Sequence, residues 1–181
     1  MKVIPDKTFG LTSSTDLYLK LLFDIDRLRA GGGTKAVQYA AFDAAVTASH
    51  VLDWVLHEVD EASHIRLTGV GKAKKRAVAG FIERNSGMIG GLEYCRQIAN
   101  SVKHMIITMG PVMMTMSTGS AVKLEWTDKR ITNAYAIAYI RVDPAGEKIN
   151  VVELFQATAE QWFLFLEREG LWVGQPPDFE D

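Results

Sequence analysis

The chain reads as mainly α, of α+β type, with a four-helix body followed by a small antiparallel β-sheet or hairpin and a C-terminal closing helix. Three observations predict this. Apolar residues recur at helical spacing early in the chain, as at Leu17, Leu21, Ile25 and Leu28, which stand four, four and three apart. Runs rich in β-formers appear only late, at 122–126 and 134–142. A final helical stripe then follows at Phe155, Ala159, Trp162, Phe163 and Leu166. A chain of 181 residues is read as a single domain, 1–181, with a helical body over 13–109, a β-hairpin plus closing helix over 120–170, and a frayed tail over 171–181.

Each element has its own signals. Thr12, Ser13, Ser14, Thr15 and Asp16 supply N-cap residues for the first helix, and Gly31, Gly32 and Gly33 end it. A second helix is predicted over about 35–62, where Ala36, Ala40, Ala41, Ala44, Ala45 and Ala48 permit close approach by a neighbour. A third is predicted over about 72–84 and a fourth over about 88–109, stopped by Gly110 and Pro111. After the two strands, 143–146 is a turn signal and 148–152 a return strand. The last helix is predicted over about 154–169, ending at Gly170.

Composition narrows the classes. The net charge of −2 excludes a uniformly basic nucleic-acid binder. Charge is uneven, however: residues 64–104 hold eight basic and two acidic residues, a local +6 against −8 elsewhere. The single cysteine, Cys95, excludes an intramolecular disulfide and reads as a small buried residue of a reducing compartment. No apolar signal segment opens the chain and no run of about 18 apolar residues occurs, so the expectation is a cytoplasmic protein without membrane association.

The stretch 95–104 carries the chemistry-bearing residues: Arg96, Asn100, Lys103 and His104. At about 100° per residue, Asn100, Lys103 and His104 share one helix face, with Arg96 one turn earlier. On the second helix His50 stands three residues before Asp53, close enough for the carboxylate to set the imidazole tautomer or to form a buried pair fixing register. His57 and His64 follow at intervals of seven and read as solvated or capping. One metal cannot take all three histidines, since His50 and His64 would lie about 21 Å apart along one helix; no metal or cofactor is implied. Gly69-Val70-Gly71, followed by Lys72, Lys74, Lys75 and Arg76, looks like the hairpin of a helix-hairpin-helix DNA-binding motif, with Lys75 where that motif wants a small apolar residue. Met105, Met109, Met113, Met114 and Met116 read as core filling or a subunit contact.

The segments His50-Val51-Leu52-Asp53-Trp54 and Ala99-Asn100-Ser101-Val102-Lys103-His104, within a helical body over about 13–105, resemble the HEPN superfamily and a group of uncharacterised bacterial and phage proteins. That resemblance implies dimers with a composite cleft, and in active members metal-independent ribonucleases of toxin or antiviral systems. Their signature is an arginine, four to six residues and a histidine, whereas seven residues separate Arg96 from His104. In the catalytic case His104 is the general base, Lys103 and Arg96 stabilise the phosphoryl transition state, Asn100 orients it, and His50 held by Asp53 supplies the acid. The first expectation is nevertheless a non-catalytic interaction or regulatory protein, a homodimer with a possible protein partner, in which these groups form a network joining helices. Ribonuclease action on RNA is the alternative. Nucleic-acid binding through the basic hairpin is the second alternative.

Overall fold

The computed structural model describes residues 8–85, 87–103, 115–127, 129–141 and 148–177, including all their side chains except those of 102, 103, 115–126 and 132–135. Its first helix, α1 (Ser14–Arg29), starts on a capping box. Ser13 Oγ accepts the Asp16 amide, and the Asp16 carboxylate accepts the Ser13 amide at 3.0 Å. Leu17, Leu21, Ile25 and Leu28 are buried, as their spacing predicts. Gly31 and Gly32 then turn the chain with positive φ of 72° and 126°, conformations that suit a residue lacking Cβ.

α2 (Thr34–Glu58) runs back along α1, with Asp43 bonded to Arg27 at one end and Glu58 to the Ser14 amide at the other. The expected single helix over 35–62 is in fact two. Val59 is extended, and Asp60 caps α3 (Glu61–Thr68) by accepting the Ser63 amide at 2.7 Å. An aspartate that caps inside an otherwise periodic run restarts the helix in a new direction. α3 ends on Gly69 in the left-handed region.

α4 (Ala77–Asn85) starts later than the expected 72. Residues 72–76 form turns, closed by the Lys74 amide on the Gly71 carbonyl, and Arg76 has a φ of 78° that interrupts any helix there. α5 (Leu92–Lys103) starts after Gly90 and Gly91 rather than at 88. Gly91 is required by packing, since a Cβ there would meet the Thr158 hydroxyl. The expected end of this helix near 109, the Gly110-Pro111 stop, the turn at 143–146 and Met105, Met109, Met113 and Met114 lie outside the described residues.

β1 (Thr115–Thr127) and β2 (Arg130–Arg141) pair antiparallel from Thr115 opposite Arg141 to Thr127 opposite Arg130. Register shifts fall between Gly119 and Val122 and between Glu125 and Trp126. β3 (Lys148–Asn150) joins β2 at Tyr139 to Arg141, giving the sheet order β1-β2-β3. The return strand stops two residues short of the expected 152, because the Asn150 side chain accepts the Val152 amide and caps α6 (Val151–Arg168).

All five residues of the α6 stripe are buried. Trp162 stacks on Phe81 of α4 and donates its Nε1–H to the Ala48 carbonyl of α2 at 3.1 Å. One large side chain thus ties three helices, and each such burial stabilises by roughly 1.5–3 kcal/mol. The start of the tail is not frayed. Trp172 meets Tyr18 and Phe163 edge-on at 5.6 and 5.1 Å, and Thr15 donates to the Leu171 carbonyl at 2.8 Å. Leu171 and Trp172 are apolar and pack on the core, which the following prolines obscured in the sequence.

Candidate functional site

Of the polar residues predicted on α5, Arg96 is bonded within its own helix. Arg96 Nε donates to Glu93 at 3.2 Å, and Gln97 donates to the same carboxylate at 3.3 Å. Arg96 therefore lies paired along the helix. Asn100 is half-buried, Lys103 is the last residue of α5, and the Lys103 side chain and the whole of His104 lie outside the described residues. Cys95, on the inner face, is fully buried; burial pushes its thiol up to about 12, which keeps it protonated and unreactive at neutral pH.

His50 and Asp53 make no bond to the described polar side chains of α5, Arg96 and Asn100. α2 packs on both α1 and α5, and His50 stands on the flank along α1. It falls in the row of Asp43, Thr47, Trp54 and Glu58, of which Asp43, Thr47 and Glu58 bond α1 groups. Asp53 is exposed, and among the described residues no hydrogen bond joins it to His50, nor either of them to Arg96 or Asn100. Spacing of three on a helix permits a pair but does not make one. His57 is exposed, as expected. His64 is not solvated: it is buried in α3, with Nδ1 2.8 Å from the Val70 carbonyl and 3.3 Å from the Thr68 hydroxyl. The break at Asp60 turned it off the stripe shared with His50 and His57.

The Gly69-Val70-Gly71 hairpin departs from a phosphate-binding one. The Gly69 amide bonds Ile65, the Val70 amide bonds the Thr68 hydroxyl, and the Lys72 amide bonds the Glu61 carboxylate at 3.3 Å. A carboxylate of the chain itself thus occupies the place at Lys72 where an anion would go, and no helix starts there to add its dipole. Lys72 Nζ donates to the His57 carbonyl at 2.9 Å. Lys74, Lys75 and Arg76 are exposed, with Arg76 3.8 Å from Glu83.

A second polar cluster, absent from the sequence-level candidates, bridges α1 and α2. Asp24 is 2 % exposed, and its Oδ2 accepts from Thr47 Oγ1 and from Lys20 Nζ, each at 2.6 Å. Lys20 Nζ also donates to Thr47 Oγ1 at 2.8 Å. Arg27 lies 3.8 Å from Asp24 and 3.2 Å from Asp43. A groove of about 390 Å³ opens over this cluster, lined by Lys20, Phe42, Asp43, Val46 and Thr47. The signal in the sequence was Asp24 itself, three residues after Leu21 and four before Leu28, a carboxylate on the edge of an apolar stripe.

Among the described residues no group of His, Cys, Asp and Glu side chains could hold a metal ion, and no helix is long and apolar enough to cross a membrane. No family model matches the chain, and no curated protein or solved structure matches it.

Proposed function

We propose that the chain is a non-catalytic interaction or regulatory protein that works as a homodimer, with the outer face of the α1–α2 hairpin as its contact. One observation carries the reading: four large apolar side chains stand exposed on that hairpin, Leu19 (48 %) and Phe23 (61 %) on α1, Tyr39 (61 %) and Phe42 (37 %) on α2. Leu19 and Phe23 are one helical turn apart, as are Tyr39 and Phe42, so each pair shares a face. Large apolar groups gathered on one element pair favour a partner that removes them from water. A second copy carries the same four exposed side chains, so a two-fold contact removes both sets from water at once.

The HEPN-like reading of the helical body belongs to the same proposal, since it implies dimers and relatives that act as scaffold or antitoxin-side proteins. Sedimentation equilibrium tests the proposal. Wild type is expected to be a dimer, and Phe23→Asp and Phe42→Asp to be folded monomers. A monomeric wild type, or a dimer that survives both substitutions, refutes it.

A further inference from the structure

We propose that the groove between α1 and α2 binds a small zwitterion with an apolar side chain, of the chemical class of the free apolar α-amino acids. The groove, about 390 Å³, is of the size that takes a small molecule. Its wall is divided chemically. Phe42 and Val46 offer an apolar surface, while Lys20 and Asp43 present opposite charges.

The lysine is held in place for this role. An ammonium has three N–H groups, and two of those on Lys20 are directed at Asp24 and Thr47. The third is left for a carboxylate in the groove. Asp24 and Thr47 are both buried, so they fix the lysine head and remove most of the side-chain entropy that a loose surface lysine loses on binding. Asp43 bonds Arg27 through Oδ2, which leaves Oδ1 to accept from a ligand ammonium.

Charge balance selects the zwitterion over either half of it. Lys20 and Arg27 offset Asp24 and Asp43, so the site is neutral. A neutral ligand with both signs adds no net charge to it. A lone amine or a lone carboxylate leaves one wall unmatched. The groove lies within one hairpin, but Phe42 belongs both to it and to the proposed dimer contact, so binding is tested on a single copy.

The test uses the full chain carrying Phe23→Asp, a residue that does not line the groove, so self-association cannot enter the result. L-phenylalanine, phenethylamine and 3-phenylpropionate are titrated separately while the backbone amide resonances of Lys20 and Thr47 are followed. The expected result is saturable binding of L-phenylalanine, tighter than either single-charge analogue by about tenfold. Asp43→Asn, at an exposed carboxylate whose half-exposed pair with Arg27 adds little to stability, is expected to remove the advantage over 3-phenylpropionate. Val46→Trp, which fills the groove, is expected to abolish binding with the thermal melt retained. Equal binding of the three compounds overturns the proposal. So does the absence of a saturable change up to about 10 mM, or unaltered binding in Asp43→Asn and Val46→Trp.

Discussion

The polar groups of α5 and those between α1 and α2 differ in how their side chains converge. The α5 cluster is conspicuous in the sequence, yet Arg96 is bonded along its own helix to Glu93, an acceptor it shares with Gln97. The α1–α2 cluster is inconspicuous in the sequence, yet it gathers Lys20, Asp24 and Thr47 from two helices onto one buried carboxylate beside a groove. The difference lies in convergence. Bonds within a helix hold side chains along the cylinder, where water reaches them and their net worth is small. Bonds across helices depend on the packing and build a site with walls.

Breaking each cluster separates the two cases. Asp24→Ala leaves the buried Thr47 hydroxyl and the Lys20 head without their common acceptor, and is expected to cost about 2–4 kcal/mol in urea unfolding. Arg96→Ala is expected to cost no more than about 0.5 kcal/mol, because it removes only a part-exposed pair three residues apart. Similar losses for the two variants would remove the distinction.

A third polar group sharpens it from the other side. Tyr18, whose hydroxyl titrates above its ordinary range because of burial and, secondarily, Glu160, has an Oη with no hydrogen-bond partner among the described residues. Tyr18→Phe is therefore expected to leave stability unchanged or raise it by up to about 1 kcal/mol, measured in the same unfolding assay. A clear loss would mean that buried hydroxyls here are satisfied in some other way.

The smallest effect concerns a carboxylate clamped by two arginines. Arg66 of α3 and Arg168 of α6 both bond Glu169. Burial raises the Glu169 carboxyl, but the hydrogen bonds from the two arginines outweigh it and hold the group below its ordinary 4.5. A depressed folded value means that the clamp contributes stability above the unfolded value and loses it as pH falls through the folded one. As pH falls through and below the ordinary 4.5, the wild type should lose more stability than Glu169→Gln. Parallel acid-unfolding curves would contradict that.

Much of the fold was legible because it rests on periodicity. The α1 and α6 stripes, the capping box at Ser13 and the antiparallel strands all follow from local spacing. The misplaced boundaries share one physical cause. Asp60, Arg76 and Gly91 each interrupt a pattern whose apolar spacing continues across them, and only the cap, the left-handed φ or the close approach to Thr158 reveals the break. The site was less legible for a related reason. His50, Asp53 and the α5 residues were linked by positions on two separate helices, but spacing within a helix does not say which flank a neighbour takes. Lys20, Asp24 and Thr47 became a cluster only when α1 and α2 were set side by side.

Sedimentation equilibrium on the wild type, Phe23→Asp and Asn100→Ala separates the α1–α2 face, proposed above as the contact, from the α5 face. A dimer is expected for wild type and Asn100→Ala, and a folded monomer for Phe23→Asp. A dimer lost in Asn100→Ala but kept in Phe23→Asp would refute the proposed contact.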